Sequence, residues 1–374
     1  MAEHDVIRWR ETLRLLGVAP ERVVAAEPLP GGLSGGELAR LTLAAHTAGE
    51  SRWYASRVLK RVRPCAGWLG EASADTLARE ARLWSSGVLA DLPASLATGV
   101  LASAQEAGDG FGALLMQDLR GRLARDPLHA PPGQLPARAR RLLDALARLH
   151  ARYWHDPRLS DPKLGLMPAR AALLLTSPES VARRLAAGDD TRYLRLAAAG
   201  WEAFFRLAPA ADAATLRAAL ADPAPYVAAV EALPWTLVHG DVWGPNLGFL
   251  PATHAAPRVG PRVLLLDWAL ATAGPATYDP LWLCGTWHAL DPVRVLAAYR
   301  ARLTRHLAAR GTVLAPATWR ALADAGYLRT ALTCGEALAR TAVEAAPGTS
   351  RQRAEARVRW WARRAALAAR RLNP

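Results

Sequence analysis

At 374 residues the chain is longer than one typical hydrophobic core requires, so we expect two lobes. Hydrophobic residues make up 51% of it and the mean hydropathy is close to zero, which excludes an intrinsically disordered chain. The first eleven residues are too charged for a signal peptide, and no uncharged run is long enough to span a bilayer. We therefore expect a cytoplasmic protein without a membrane partner.

The net charge of +14 first raises the possibility of a nucleic-acid partner. However, only Lys60 and Lys163 are lysines, and the other 45 basic residues are arginines scattered among alanines, as GC-rich coding would produce. No basic run with interleaved stacking aromatics is present, which favours solvated helix faces over a nucleic-acid surface. The three cysteines are far apart and odd in number, so we predict neither a disulfide framework nor a zinc site.

The first predicted elements are a short helix ending near Gly17, a glycine-rich stretch over residues 28–36, and a strand from Ala39 to Ala44. Glycines between two strands allow backbone N–H groups to approach a polyphosphate, and Ser34 beside Gly35 offers a hydroxyl donor. An ordinary hairpin turn has the same composition, so both interpretations stay open.

Residues 52–62 predict the next strand, which carries Lys60. In a chain that uses arginine almost throughout, a lysine retained in a strand indicates a site that needs a compact ammonium group and not a guanidinium. A surface lysine kept by chance is the alternative.

A helix is predicted from Ala74 to Val88, because Leu77, Ala81, Trp84 and Val88 form one apolar face. Glu80 lies on that face and has no cation three or four residues away. A carboxylate turned toward a core needs a distant partner, and Lys60 is the natural candidate. In the alternative, Glu80 lies at the rim of the face and is solvated.

An apolar strand over Phe111–Leu119 becomes polar at Gln117 and breaks at Gly121. Helical patterns then continue to residue 233, and His150, beside an apolar stripe, is predicted to be a satisfied core histidine. The last helix, over residues 351–372, is predicted to dock through an alanine-rich face; a membrane-surface role is the alternative.

The most informative stretch runs from Thr236 to Leu270, where two short apolar runs flank polar segments. It contains Asp241, Asn246 and Asp267. Two carboxylates and an amide form an oxygen-ligand set that suits Mg²⁺, and one Asp can instead accept a proton from a hydroxyl.

The sequence His239-Gly240-Asp241, with Asn246 five residues later, resembles the catalytic loop of the aminoglycoside phosphotransferase and choline kinase superfamily. Asp267-Trp268 resembles the family's metal-binding motif, and the following GPATYDPL, with Asp279, resembles its next motif. The resemblance implies an α+β, bilobal, protein-kinase-like fold. It places a small nucleotide-binding lobe with an antiparallel sheet at residues 1–116, a hinge at 117–121 and a larger helical lobe, with the catalytic loop and acceptor site, at 122–374.

The family also implies roles for single residues. Asp241 is expected to accept the proton of the acceptor hydroxyl, while Asn246 and Asp267 hold Mg²⁺ on ATP. The remaining candidates would bind the nucleotide or support the loop. Lys60 would contact the α- and β-phosphates, and Glu80 would hold Lys60 in position. Ser34 and Gly35 would approach the phosphates, and the adenine pocket would be lined by Met116, Gln117 and Leu119. His239 would connect the loop to the strand of Asp267, and Asp279 would support the loop.

We therefore expect an ATP-dependent kinase that phosphorylates a hydroxyl of a small metabolite, as a monomer or homodimer. An aminoglycoside O-phosphotransferase is one alternative, and a catalytically silent kinase-like binding protein is another. The preference for ATP or GTP stays open. Trp243, Trp282 and Trp287 are acceptor-site candidates, because they would suit a choline-like cation by cation–π contact.

Two departures from protein kinases also matter. Gly240 stands where those enzymes usually carry an arginine, and Asp267 is followed by Trp268-Ala269 instead of Phe-Gly. Both departures favour a constitutive enzyme without a phosphate-triggered loop.

Overall fold

The structure is a computed structural model that describes residues 9–30, 36–45, 53–106, 110–121, 123, 135–189, 191–251 and 261–373. The chain forms two compact units, each built from three separate segments. Unit 1 comprises Met1–Ala124, Asp161–Leu166 and Leu247–Ala269, and unit 2 comprises Arg125–Ser160, Met167–Asn246 and Leu270–Pro374.

The elements of the described residues are numbered in chain order. The strands are β1 (Val23–Leu29), β2 (Glu37–Ala45), β3 (Trp53–Val62), β4 (Leu96–Ala97), β5 (Val100–Gln105), β6 (Gly112–Gln117), β7 (Thr236–Val238), β8 (Leu247–Leu250), β9 (Arg262–Leu265) and β10 (Thr272–Gly274). The helices are α1 (Arg10–Leu15), α2 (Gly67–Ala72), α3 (Arg79–Ser85), α4 (Ala137–Arg152), α5 (Ala169–Leu174), α6 (Pro178–Ala186), α7 (Arg192–Leu207), α8 (Ala210–Ala221), α9 (Ala224–Glu231), α10 (Tyr278–Thr286), α11 (Pro292–Ala308), α12 (Pro316–Glu344) and α13 (Thr349–Leu372).

Unit 1 contains an antiparallel sheet with strand order β1-β2-β3-β6-β5. Side chains alternate between its two faces, so neighbouring residues of β3 belong to different cores. Leu59 packs in the core that includes Leu13 of α1, whereas Val58 packs in the core that includes Ala81 of α3. Lys60 shares the face of Val58, and the sheet therefore directs it toward α3.

A second sheet of unit 1 has the order β4-β9-β8, with β9 parallel to β4 and antiparallel to β8. Residues 263–265 of β9 are fully buried, because the strand lies between two neighbours and carries a continuous apolar run. Asp267 follows two residues after this strand. Buried apolar side chains thus fix the strand, and the polar residue comes where the strand has ended.

Unit 2 is mainly helical and contains the short antiparallel pair β7 and β10. Its longest helix, α12, is buried along most of its length. A Cβ added at Gly200 of α7 would lie 2.5 Å from the backbone oxygen of Glu336, so this glycine permits close approach of α7 and α12. Helix α13 buries Val358, Trp361 and Ala365, which confirms the predicted docked helix.

The predicted helix over residues 74–88 is wrong in its extent, because α3 covers only Arg79–Ser85. Ala74 and Ala78 have left-handed backbone conformations, with φ of 53° and 52°, which interrupt a helix. The side chain of Asp75 accepts the N–H of Arg79 at 2.8 Å and satisfies a donor at the start of α3. Leu77 and Val88 therefore lie outside the helix that their spacing predicts.

Membrane crossing requires a helix that is both long and strongly apolar. No helix among the described residues meets that requirement.

Candidate active site

Lys60 is the centre of a buried ion-pair cluster in unit 1. Its Nζ atom donates to Glu80 Oε2 at 2.7 Å and to Asp267 Oδ1 at 2.8 Å. Lys60 and Glu80 are 7% and 3% exposed, whereas the side chain of Asp267 is 36% exposed. The structure thus brings together three of the residues predicted to handle the nucleotide, and one of the two carboxylates, that of Asp267, is accessible.

The charge state of this cluster follows from two opposing effects. Burial by itself lowers the pKa of Lys60, but the charges of Asp267 and Glu80 and their hydrogen bonds outweigh it, so the pKa lies above its ordinary value. The ammonium group therefore stays protonated across the neutral pH range. Two carboxylates hold this cation in position.

Asp267 occupies an unusual backbone conformation, with φ of 61°. Aspartate tolerates this left-handed region better than most residues, and such conformations often occur at functional sites. The following Trp268 is fully buried, and its Nε1 atom donates to the carbonyl of Leu265 at 3.2 Å. The buried indole thus holds the turn that presents the Asp267 carboxylate.

Arg79 supports this cluster, and sequence reasoning missed it. The side chain is fully buried, although burial lowers the pKa of its guanidinium. It donates to the backbone carbonyls of Gly165 at 2.5 Å, Ser73 at 2.9 Å and Ala269. Arg79 directly precedes Glu80, and Ala269 is two residues after Asp267, so one guanidinium fixes the backbone beside both carboxylates.

In unit 2, the loop after β7 turns sharply at Gly240. This residue has a φ of 85°, and a Cβ atom built there would lie 2.1 Å from the carbonyl oxygen of Leu270. Only glycine fits both the left-handed conformation and the close approach of the two backbones. The sharp turn directs the chain into Asp241.

Asp241 and Asn246 form a hydrogen-bonded pair. Asn246 Nδ2 donates to Asp241 Oδ2 at 2.9 Å and to the Asp241 carbonyl oxygen at 3.2 Å, and the Asp241 N–H donates to His239 Nδ1 at 3.2 Å. The amide nitrogen of Asn246 is thus directed to Asp241. This leaves the amide oxygen of Asn246 as a possible ligand for a cation.

Asp279 is fully buried behind this loop. Its two oxygens accept the backbone N–H groups of His239 at 3.0 Å and Gly240 at 2.9 Å, and His150 Nε2 lies 3.1 Å from Oδ2. Burial raises the pKa of Asp279, but the hydrogen bond and charge of His150 outweigh burial and the pKa lies below its ordinary value. The ionised carboxylate anchors two consecutive residues of the loop.

The prediction that His150 is a core histidine with its hydrogen bonds satisfied is confirmed. Its second ring nitrogen forms a hydrogen bond with the hydroxyl of Tyr299. Its contact with Asp279 was not predicted. These two residues are 129 positions apart, and no local pattern connects them.

Arg329, also missed from the sequence, lies fully buried near the same loop. Its Nη2 atom donates to the Gly240 carbonyl at 3.1 Å, and its Nη1 atom has no hydrogen-bond partner among the described residues. The guanidinium lies 4.8 Å above the ring of Tyr278 and 4.7 Å above the ring of Trp282. Cation–π contacts therefore help to stabilise a buried charge beside the loop that follows β7.

The three tryptophans proposed for the acceptor site have different surroundings. Trp282 is 7% exposed and carries Arg329 on one face. Trp243 is 42% exposed, and Trp287 lies near Gly244, where an added Cβ would be 3.3 Å from its ring. An aromatic cage for choline would need open ring faces, and Trp282 does not provide one on the side of Arg329.

The predicted adenine-pocket residues lie at the end of β6. Met116 and Leu119 are buried, while Gln117 is exposed and its N–H donates to the Gly99 carbonyl at 2.8 Å. Ser34 and Gly35 lie outside the described residues. The nucleotide-binding roles of all five residues stay predictions.

The order of these motifs along the chain agrees with a comparison of the whole sequence with protein families. The model named "Phosphotransferase enzyme family" matches residues 32–322, which is most of the chain. The chain belongs to the phosphotransferase enzyme family. Membership confirms the resemblance found in the sequence and makes this phosphotransferase an enzyme that transfers phosphate to hydroxyl-bearing substrates. None of the curated proteins matches it.

Solved structures resemble this phosphotransferase at low sequence identity. A choline kinase from Cryptosporidium parvum Iowa II is 10% identical, with a TM-score of 0.50 over 97% of this chain and 94% of the other. An ethanolamine kinase from Plasmodium vivax is 11% identical, with a TM-score of 0.48 over 94% and 92%. A choline kinase from Streptococcus pneumoniae is 13% identical, with a TM-score of 0.42 over 97% and 99%. The first similarity, together with the antiparallel sheet and the helical unit, confirms the predicted protein-kinase-like fold.

Proposed function

We propose that this phosphotransferase is an ATP-dependent kinase that transfers the γ-phosphate to a hydroxyl group of a small metabolite. The observation that supports this proposal is the contact of Lys60 with both Glu80 and Asp267. A structural ion pair needs one carboxylate. A second, partly exposed carboxylate beside the same ammonium suits a site where phosphate and a cation bind next to each other.

In the proposed reaction, the acceptor hydroxyl oxygen forms a bond to the γ-phosphorus as the bond to the β,γ-bridging oxygen breaks. The hydroxyl proton passes to Asp241, and ADP leaves. Lys60 contacts the α- and β-phosphates, and Glu80 keeps Lys60 in position. Because the transition state is loose, these residues contribute mainly by positioning and by stabilising charge.

Mg²⁺ would be held by Asn246 and Asp267, an amide oxygen and a carboxylate. Oxygen ligands of this kind suit Mg²⁺, which usually keeps several waters and binds phosphate oxygens as well. The orientation of the Asn246 amide, with its nitrogen toward Asp241, fits this role. Mg²⁺ would neutralise phosphate charge when bound.

The replacement Asp241→Asn tests the proposed base. General-base catalysis is worth about 10² to 10⁴ in rate, so we expect turnover to fall by about that factor while ATP binding persists. Phosphate transfer to a panel of amino sugars, amino alcohols and sugars measures turnover, and a thermal shift with ATP/Mg²⁺ or GTP/Mg²⁺ measures binding. Asp222→Asn, at an exposed carboxylate, is the control. Full turnover in the Asp241 variant would remove this residue from the mechanism.

The two lysines of the chain offer a matched test of nucleotide binding. We expect Lys60→Arg to weaken the binding of ATP/Mg²⁺ by about tenfold or more, since a guanidinium does not replace a compact ammonium between two carboxylates. Lys163→Arg, at an exposed lysine, should leave binding unchanged. Equal ATP affinity in both variants would contradict the assigned role of Lys60. Retained ATP binding without transfer to any acceptor would instead indicate a silent binding protein.

A further inference from the structure

A cavity of about 310 Å³ lies within unit 2, along helices α12 and α13 and the end of α10. Two arginines, a histidine and a threonine supply its polar lining, and no carboxylate is among the lining residues that the structure describes. The lining residues are His288, Leu338, Thr341, Arg353, Ala354 and Arg357.

Arg353 and Arg357 make the cavity cationic. Arg353 is exposed, and no hydrogen bond or ion pair engages its guanidinium among the described residues. Arg357 donates hydrogen bonds from Nη1 to the carbonyl of His288 at 2.9 Å and from Nη2 to the carbonyl of Cys284 at 2.6 Å. Its Nε atom is buried and has no partner within the described part of the chain. The Arg357 guanidinium thus forms part of the cavity wall, and the Arg353 guanidinium is available for a ligand.

His288 and Thr341 complete the polar side of the cavity. The hydroxyl of Thr341 lies 3.2 Å from His288 Nε2. Burial and the charge of Arg357 lower the pKa of His288 to about 4, so the imidazole is neutral at pH 7. Both groups can take part in hydrogen bonds without adding negative charge.

The cavity adjoins a residue that contacts the loop between Asp241 and Asn246. His288 directly follows Trp287, and the ring of Trp287 lies near Gly244, which belongs to the segment between Asp241 and Asn246. A ligand in the cavity would therefore share the Trp287–His288 segment with that loop. Because His288 in the lining and Trp287 beside the loop are consecutive residues, the acceptor is the ligand that this position favours.

We propose that this cavity binds the acid group of the phosphate acceptor, so that the acceptor is a hydroxylated carboxylate or a hydroxylated phosphate ester. This inference rests on the proposed kinase function. A guanidinium binds a carboxylate or phosphate through paired, charge-assisted hydrogen bonds. The same charge repels polycationic amino sugars and quaternary amines, which makes aminoglycosides and choline poor acceptors.

The first test compares acceptors. With ATP/Mg²⁺, we expect D-gluconate or D-glycerate to give a kcat/KM at least about tenfold above choline, ethanolamine and kanamycin, since like charges disfavour cations in this cavity. A cationic acceptor with the highest kcat/KM overturns the inference but leaves the kinase function intact.

The second test compares two exposed arginines of α13. We expect Arg353→Gln to raise the KM of the best acid acceptor by about tenfold or more, with kcat within about threefold of the wild-type value, because the lost interaction is equally strong in the bound ground state and in the transition state. Arg363→Gln removes the same charge from an exposed position outside the cavity lining and should change neither constant. Equal KM values in both variants overturn the inference.

A third measurement separates failure of this inference from failure of the proposed function. If no acceptor is phosphorylated and ATP/Mg²⁺ does not bind, the kinase function fails. Calorimetric titration with D-gluconate and with inorganic phosphate then tests the cavity alone. Binding that weakens in Arg353→Gln but not in Arg363→Gln supports an acid-binding site. Equal binding in both variants, or no binding in the wild-type protein, overturns it.

Discussion

At the scale of single residues, Gly240 is the position in the loop after β7 where a side chain has no space. A methyl group there would collide with the Leu270 carbonyl, 2.1 Å away, and the φ of 85° disfavours any L side chain. We expect Gly240→Ala to lower the free energy of unfolding by about 3 kcal/mol or more, since it combines backbone strain with a steric clash. Urea denaturation measures the change.

Gly188 is the matched control for this prediction. Its φ is 83°, but nothing lies within 4 Å of an added Cβ. Gly188→Ala should therefore show only the conformational cost of about 1 to 2 kcal/mol. Equal losses in the two variants would mean that the Leu270 carbonyl moves away without a significant cost.

The lowered pKa of His288 predicts that the stability of the protein depends on pH. Its pKa is about 4 in the folded protein, because of burial and the charge of Arg357, against 6.5 for an ordinary histidine. The unfolded chain therefore binds the additional proton between these values, and stability falls as the pH falls from 6.5 toward 4. His288→Asn should reduce the fall. Urea denaturation at pH 7 and pH 5 compares the two proteins, and an equally large fall in the variant would contradict the assignment.

At the scale of elements, Arg79 joins the start of α3 to two other segments of unit 1. It reaches the carbonyl of Gly165, which follows the turn Pro162–Leu164, and the carbonyl of Ala269, within the turn Trp268–Leu270. We expect Arg79→Met to destabilise the protein by about 3 kcal/mol, since buried carbonyls lose their donors. Because Ala269 is close to Asp267, we also expect weaker ATP/Mg²⁺ binding. Chemical denaturation and calorimetry measure the two effects.

Arg82 of the same helix is the control for Arg79. It is only half-buried, and no hydrogen bond or ion pair engages its guanidinium among the described residues. Arg82→Met should change stability by less than about 1 kcal/mol. If Arg79→Met lowers stability but leaves ATP affinity unchanged, Arg79 supports the fold and does not position the site.

The elements also show how far local patterns reach. Local sequence patterns predicted the strand that carries Lys60, and the apolar face of the last helix predicted that α13 is docked. Helical periodicity predicted too long a helix around α3, because the residue types of Ala74 and Ala78 give no sign of their left-handed conformations. Local patterns also did not assign β7 and β9 to separate sheets, since strand pairing is non-local.

At the scale of the whole molecule, unit 1 is not a continuous piece of sequence. A fragment ending at Ala124 would lack β9, the parallel partner of β4, and would remove Asp267 from Lys60. We expect the fragment Met1–Ala124 not to unfold cooperatively, because buried groups would lose their partners. Circular dichroism during urea denaturation tests this, with the full chain as the reference. A cooperative transition in the fragment would show that its own sheet is sufficient.

The sequence by itself determined the family, the fold class and the chemical groups of the candidate site. This was possible because His239, Asp241 and Asn246 follow one another at short fixed spacings, with Asp267 after them. Such a motif can be recognised without knowledge of the fold. It also predicted the pairing of Lys60 with Glu80, because an acid on an apolar helix face needs a cation.

Only the tertiary structure identified the groups that hold these residues in place. Lys60 and Asp267 are 207 positions apart, and Arg329 and Gly240 are 89 positions apart. The tertiary structure also revealed the cationic cavity with Arg353 and Arg357, in a chain whose arginines look evenly dispersed. A periodic pattern indicates which face of an element is buried, but packing decides which distant group meets it.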